Sequence, residues 1–252
     1  MALEAGLNLC LRALFNSLNP DLVLLQETMC SDMPALFAFS KILPTWEYCA
    51  ISARGLSGGL LSAWNPLKVK CRAFHTFASI LLHASFRGIP FPIHILNVYG
   101  PYKDRVFFWD KTLRGGLLNL PNLVLAGDLN LTLHPSEIRG SKASLDHHFE
   151  HFLALFDSAG LVDVAPPSAG PTWRNGRAGE DGICKRLDRF LISKDLLPIL
   201  GAYRTWTKCS IISDHFPILF EWNSPKGPFN YPFKFNRSWL ENPEFIDWFL
   251  NW

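Results

Sequence analysis

Four short apolar runs, each abutting a small cluster of acid, amide or imidazole groups, constrain this chain more than any other feature. Leu22-Val23-Leu24-Leu25 runs into Gln26-Glu27-Thr28, and Leu123-Val124-Leu125-Ala126 into Gly127-Asp128-Leu129-Asn130. Phe190-Leu191-Ile192 follows Arg186-Leu187-Asp188, and Phe216-Pro217-Ile218-Leu219-Phe220 follows Ser213-Asp214-His215. Apolar runs of this length, with turn residues nearby, read as buried strands. Carboxylates at the mouths of buried strands are costly to desolvate without a metal or a partner. Four such mouths in one chain point to a shared site for a divalent metal and a phosphoester.

Helical patterns separate these strands. Leu3, Leu7, Leu11, Leu14 and Leu18 share one helical face, which predicts a helix over residues 3–18, ended by Asn19-Pro20. Further helices are expected near 31–43 and over 103–118. Another is expected from a Ser144 cap, with Leu145, Phe149, Phe152, Leu153 and Phe156 on one face and Gly160 near its end. Strand-like runs at 78–86 and 91–99 flank Arg87-Gly88-Ile89-Pro90, a hairpin turn. Residues 54–64 read as a glycine-containing strand. Residues 174–182 carry no apolar anchor and read as a mobile loop. Alternating strands and helices plus an antiparallel hairpin predict a mixed α/β (α+β) fold rather than a purely doubly wound one. Residues 1–222 are expected to form one domain. Residues 223–252 read as a linker-like tail with a short helix near 241–251.

Composition narrows the class. Hydrophobic residues make up 48% of the chain, enough for a sizeable core, and the formal charge of +2 is too small to argue nucleic-acid binding by itself. A local basic groove is compatible with that balance. The six cysteines show no Cys-x-x-Cys spacing, which favours reduced thiols in an intracellular protein over a zinc ribbon. No apolar run reaches the roughly 18 residues a membrane span needs. Met1-Ala2-Leu3-Glu4-Ala5 lacks the basic start of a secretory signal. Arg54-Gly55-Leu56-Ser57-Gly58-Gly59 is not a phosphate loop, because no Gly-Lys-Ser/Thr follows, and no Gly-x-Ser-x-Gly elbow occurs. His147 and His151 have helical i, i+4 spacing but no His-Glu-x-x-His and no third zinc ligand.

The candidate site residues each carry a chemical and a plainer reading. Glu27 is a hard oxygen ligand for Mg²⁺ or Mn²⁺, or else a strand-end acid in a surface ion pair. Asp128 and Asn130 stand at i and i+2 on extended chain and share a side, where they can hold a water and a phosphate oxygen; the plainer reading is an Asx turn. Asp188 can orient His215, leaving Asp214 free for metal, or can pair with Arg186 and Arg189. Tyr99 can donate to a phosphate or sit in the core. Thr172, Trp173 and Ser213 offer hydroxyls and an aromatic plate for a nucleic-acid strand, and a stacked base contributes roughly 1–3 kcal/mol. Trp173 is equally suited to packing.

The ordered set resembles the endonuclease/exonuclease/phosphatase superfamily, and within it the endonuclease domain of plant non-LTR (LINE-type) retrotransposons. The likeness covers about residues 8–222. It is carried by Pro20-Asp21-Leu22-Val23-Leu24-Leu25-Gln26-Glu27-Thr28, Asn97-Val98-Tyr99-Gly100-Pro101, Ala126-Gly127-Asp128-Leu129-Asn130, Pro171-Thr172-Trp173, Arg186-Leu187-Asp188-Arg189-Phe190-Leu191 and Ser213-Asp214-His215-Phe216-Pro217. The resemblance implies a four-layer sandwich: two mixed β-sheets packed together and flanked by helices. It implies Mg²⁺- or Mn²⁺-dependent hydrolysis of a phosphodiester, with DNA as the partner and no membrane. Glu27 would bind the metal, and Tyr99 and Asn130 would contact the scissile phosphate. Asp128 would activate water, Asp188 would orient His215 as charge stabiliser, and Asp214 would assist at the metal or leaving group. That family begins with a strand ending in a Trp-Asn-x-Arg-Gly-like motif, expected to be missing here, which would leave two strand edges exposed. A reverse transcriptase domain is expected in a full-length relative, and a nuclease of that kind acts in the nucleus. Two alternatives stay open: an inactive, nucleic-acid-binding relic, and a phosphatase of a small phosphate ester.

Overall fold

A computed structural model describes residues 2–53, 58–77, 79–166, 170–208 and 213–222, with side chains from Cys10 onward. The expected first helix forms as α1 (Ala2–Leu18), and Asn19 at φ +45° turns the chain into β1 (Leu22–Gln26). Then come α2 (Asp32–Ile42), β2 (Glu47–Ile51), β3 (Leu60–Trp64), β4 (Val69–His75), β5 (Ser79–Phe86), β6 (Ile93–Tyr99), α3 (Arg105–Arg114), β7 (Leu123–Asp128) and β8 (Ile138–Arg139). The described order closes with α4 (Phe149–Ser158), β9 (Leu161–Asp163), β10 (Trp173–Arg174), β11 (Cys184–Lys185), β12 (Asp188–Ser193), α5 (Leu197–Leu200), β13 (Tyr203–Thr207) and β14 (Ile218–Trp222).

A six-stranded sheet, β4-β5-β6-β7-β12-β9, is the centre of the molecule. It is mixed because α3 carries the chain across from β6 to a parallel β7, while its other pairings are antiparallel. One face packs under α3 and α4 through Leu96, Val98, Leu125, Trp109 and Phe152. The other face, with Ile80, Leu82, Ile95 and Ile192, meets Leu60 and Leu24 of the β1-β3-β2 sheet and Phe220 of the β13-β14 pair. Helices α1 and α2 cover the outside of the β1-β3-β2 sheet through Phe15, Phe39 and Ile42. The result is helix, sheet, sheet, helix, the four-layer sandwich expected from the sequence. Only the six-stranded sheet is mixed; the described strands opposite it pair antiparallel. Among the described residues no helix is long and apolar enough to cross a membrane.

Several elements differ from expectation. The helix expected from Ser144 begins instead at Phe149. Asp146 holds the preceding segment: its carboxylate takes the Arg105 guanidinium and the His148 amide, and its own amide donates to Thr132 Oγ1 at 3.1 Å. The buried stripe of α4 is Phe152, Leu155 and Phe156, with Leu153 turned outward. The strand expected over 54–64 covers only Leu60–Trp64; residues 54–57 lie outside the described residues. Residues 174–182 form a hairpin between β10 and β11 with a polar anchor. Asn175 accepts from the amides of Arg177 and Ile183 and donates to Asp181 O at 2.8 Å. The α3 region ends at Arg114 and is followed by a 3-10 turn at Leu117–Asn119. The tail from 223, with its expected helix, lies outside the described residues.

Candidate active site

Parallel pairing of β6 with β7 puts Tyr99 opposite Asp128, and antiparallel pairing of β7 with β12 puts Asp128 opposite Asp188. Three of the expected residues therefore sit at one edge of one sheet before any side chain is considered. The local sequence fits that crowding. Gly127 has φ +140°, and a Cβ there would stand 2.0 Å from Val98 O and 3.1 Å from Gln26 Nε2. Only glycine lets β6, β7 and the Gln26 side chain approach so closely.

Glu27 reaches this edge from the opposite sheet. A buried amide bridge sets its height. Gln26 Nε2 donates to Asn97 Oδ1 at 2.6 Å, and Asn97 Nδ2 donates to Leu61 O at 3.0 Å and Ser62 Oγ at 3.1 Å. Asn97 is fully buried on β6, so the bridge pins β1 and β3 against the six-stranded sheet two residues below Tyr99. Glu27 itself lies at φ +52°, a left-handed conformation that costs backbone energy in a non-glycine residue. The Tyr99 hydroxyl donates to Glu27 Oε1. Burial first, then Glu27, push the Tyr99 hydroxyl well above its usual range, so it stays a donor.

Asp128 is 3% exposed. Its Oδ1 accepts the Asn130 amide at 2.9 Å, an Asx turn that coexists with the proposed chemistry. Asn130, at φ +54°, donates its Nδ2 to Gly100 O at 2.7 Å, and its carbonyl accepts from Arg105 at 2.9 Å. His215 stands between two acids. Its Nδ1 is 2.9 Å from Asp188 Oδ2, and its Nε2 is 3.9 Å from Asp128 Oδ2. Burial disfavours the imidazolium, but the hydrogen bond and charge of Asp188, with Asp128 and Asp214, outweigh it and raise the pKa to about 9. Asp128 moves up as well, to about 7. Burial and the charge of Asp188 drive it, His215 and the Asn130 amide oppose, and Glu27 adds repulsion.

The Pro171-Thr172-Trp173 segment stitches the site together. Thr172 is buried, and its Oγ1 accepts from the amides of Leu187 and Asp188 at 2.9 and 3.0 Å, so its hydroxyl faces the protein rather than a substrate. Thr172 O accepts from the Phe216 amide at 2.7 Å, and Trp173 bridges to His215 across the backbone. Trp173 Nε1 donates to Asp214 Oδ2 at 2.9 Å, and Ser213 Oγ accepts the His215 amide at 3.0 Å. Asp214 is exposed beside Trp173, and no hydrogen bond or ion pair joins it to Glu27 among the described residues. The structure thus brings together Glu27, Tyr99, Asp128, Asn130, Asp188 and His215, with Trp173, Ser213 and Asp214 on the His215 side.

Two acids escaped the sequence reading. Glu137 and Asp163 take Arg186 and Arg189, the arginines read as partners of Asp188. The signal available was indirect: two arginines flanking a strand start need buried acceptors. This cluster fixes the loop after Asp128, because Glu137 Oε2 also accepts the Leu133 amide at 2.7 Å.

No group of three or more His, Cys, Asp or Glu side chains gathers tightly enough to cage an ion among the described residues. The hard oxygen donors at this edge are the carboxylates of Glu27, Asp128 and Asp188, and a hydrated divalent cation such as Mg²⁺ takes only one or two of these with waters and substrate oxygens. The upward shift of Asp128 beside Glu27 and Asp188 marks an acid surplus that a cation would relieve. His147 lies ahead of α4 and His151 bonds Asp110 at 2.9 Å, so the two do not form a metal pair.

The sequence profile of the endonuclease/exonuclease/phosphatase family matches residues 7–215, and the chain belongs to that family. Among curated protein sequences none matches. Solved structures share the fold. An AP endonuclease from Archaeoglobus fulgidus superposes with TM-score 0.65 at 17% identity, over 84% of this chain and 93% of that one. A 3' phosphatase, NExo, from Neisseria, bound to a product DNA hairpin, gives 0.63 at 19% identity, over 86% and 96%. The endonuclease domain of TRAS1, a telomere-specific non-LTR retrotransposon, gives 0.57 at 16% identity, over 82% and 100%.

Proposed function

We propose that this chain is a divalent-metal-dependent phosphodiesterase that nicks DNA in the manner of a retrotransposon endonuclease, and that it works in the nucleus. One observation carries the reading: a single imidazole held at 2.9 Å by Asp188 and facing Asp128 at 3.9 Å, at an edge where Glu27, Tyr99 and Asn130 also converge. A buried carboxylate raised to about 7 is suited to take a proton from water near neutral pH. An imidazole raised to about 9 stays positive there.

The roles follow from those states. Asp128 accepts the proton of the attacking water as its oxygen bonds to phosphorus. The ester P–O bond on the far side breaks in line, and the leaving oxygen takes a proton from solvent water. Charge on the phosphoryl oxygens is met by His215, with Nδ1 held by Asp188, and by the second N–H of the Asn130 side-chain amide, while the one Tyr99 proton stays on Glu27. Glu27, oriented by Tyr99, is the carboxylate that would hold Mg²⁺ or Mn²⁺. When bound, that ion supplies Lewis-acid charge and a template for the phosphate.

The test is nicking of supercoiled plasmid by the full chain in Mg²⁺ against EDTA, with Asp128→Ala alongside. Metal-dependent nicking lost in the variant supports the reading. Equal nicking by the variant overturns it. Salt-sensitive DNA binding without cutting favours the non-catalytic relic, and hydrolysis of small phosphate esters with plasmid left intact favours the phosphatase.

A further inference from the structure

Beyond the site, a groove of about 720 Å³ lies between the β4–β5 turn and α3. Its walls combine aromatic rings with charged groups: His75 from the end of β4, Phe77 from the turn, and Phe107, Asp110, Lys111 and Arg114 from α3. Phe77 is 50% exposed and Phe107 70%, which is unusual for rings that have core available. The Lys111 ammonium sits 4.6 Å over the Phe77 ring. The Arg114 side chain is 80% exposed, and the one acid lining the groove, Asp110, is shared between His151 at 2.9 Å and Arg114 at 3.7 Å. The surface therefore offers aromatic faces and unneutralised positive charge, the pairing that binds polynucleotide strands.

Its position ties it to the reacting phosphate. Ser79 pairs with Val98, so the β4–β5 turn stands at the Tyr99 end of the sheet. α3 begins at Arg105, which bonds Asn130 O. β5 lies two strands from β7, about 10 Å at ordinary strand spacing. At the roughly 3.4 Å rise of a strand in stacked B-form DNA, that distance is about three nucleotides between the cut and the unpaired stretch. In a duplex both faces of each base are covered by neighbours, so only an unpaired base presents a face to a ring.

We propose that this groove is a subsite for an unpaired stretch of the nucleic-acid strand beside the scissile phosphate, with a base stacked on Phe107 and backbone phosphates facing Lys111 and Arg114. The proposal rests on the phosphodiesterase reading and narrows it: the preferred substrate carries a single-stranded flank about three nucleotides from the cut.

Fluorescence anisotropy in EDTA, where no cutting occurs, tests it with the full chain, a labelled single-stranded oligonucleotide and the blunt duplex of the same sequence. The wild type binds the single strand more tightly. Phe107→Ala weakens single-strand binding about tenfold and leaves duplex binding within about twofold, while Phe107→Trp retains it. Unchanged single-strand affinity in Phe107→Ala, equal loss on both ligands, or loss in Phe107→Trp as well overturns the subsite. Hydrolysis of bis(p-nitrophenyl) phosphate, too small to reach the groove, is measured in parallel and stays at the wild-type rate in Phe107→Ala. If the wild type hydrolyses no phosphodiester but binds single strands through Phe107, the enzymatic reading fails and the subsite stands. If hydrolysis is intact and Phe107 does not matter, the subsite alone fails.

Discussion

Asp188 and Arg189 are neighbours in β12, yet their side chains enter ionic clusters of opposite design. Arg189 is fully buried and joins Arg186, Glu137 and Asp163, two cations against two acids. Burial pushes Glu137 and Asp163 upward, but the guanidiniums outweigh it and hold both below the usual carboxylate range. Asp188 faces the other way, into a cluster with Asp128, Glu27 and one imidazole, and there Asp128 is driven up to about 7. The first cluster is electrostatically complete and braces the loop after Asp128. The second is short of positive charge, and perturbed carboxylates of this kind concentrate at reactive sites.

The sharpest way to break this contrast is Asp128→Asn. Nicking is expected to fall about 10³-fold, since a positioned base contributes on the order of 10²–10⁴-fold. The same change raises Tm at pH 8. The folded protein holds the Asp128 proton to about pH 7, so ionisation of this acid destabilises the fold above its unfolded pKa, increasingly up to about 7, and the gain from Asn vanishes below about pH 4. A lower Tm at pH 8 would show that the acid is not strained by its surroundings.

The complete cluster should respond in the opposite sense. Glu137→Gln leaves buried guanidiniums without their full counter-charge and is expected to cost about 3 kcal/mol in denaturant unfolding. Because Glu137 is held below its ordinary pKa, its contribution is present above the unfolded value and lost as acid protonates it. A loss under about 1 kcal/mol would mean the cluster does not brace the fold.

The pH dependence sharpens the comparison further. The rate at low substrate should rise about tenfold per pH unit below a limb near 7, where Asp128 loses its proton, and fall above a limb near 9, where His215 loses its own. Raising Mg²⁺ should move the first limb downward, because a cation favours the ionised acid. The smallest effect is expected from Trp173→Phe. It removes one hydrogen bond to an exposed carboxylate, so the cost is about 1 kcal/mol or less in stability, with the rate within about threefold.

Much of this arrangement was legible in the sequence, and the parts that were not share a cause. β1, β7 and β12 announced themselves because each is a dense apolar run ending in an acid. The β5–β6 hairpin was marked by its Gly88 turn. β4 carries no clear signal although Val69, Cys71 and Ala73 alternate with Lys70, Arg72 and Phe74, because Phe74 is exposed and Cys71 and Ala73 are only half-buried. Thr172 was read as facing substrate because a hydroxyl beside a tryptophan carries no sign of direction; its turn toward the Leu187 and Asp188 amides depends on long-range pairing. Glu137 and Asp163 leave no local trace for the same reason: each meets its arginines only through long-range pairing, β9 with β12 and Glu137 O with the Arg186 amide. The α4 start was misplaced because a tertiary ion pair at Asp146 overrode local helical preference.

The central claim is that the acid surplus around Asp128 is reserved for a cation held by Glu27. Calorimetric titration of the full chain with Mg²⁺ at pH 7, in two buffers of different ionisation enthalpy, tests it directly. The account predicts binding that releases about half a proton, the share Asp128 still carries at its midpoint, and affinity at least about tenfold weaker in Glu27→Gln. Binding without proton release, or unchanged by Glu27→Gln, would contradict it.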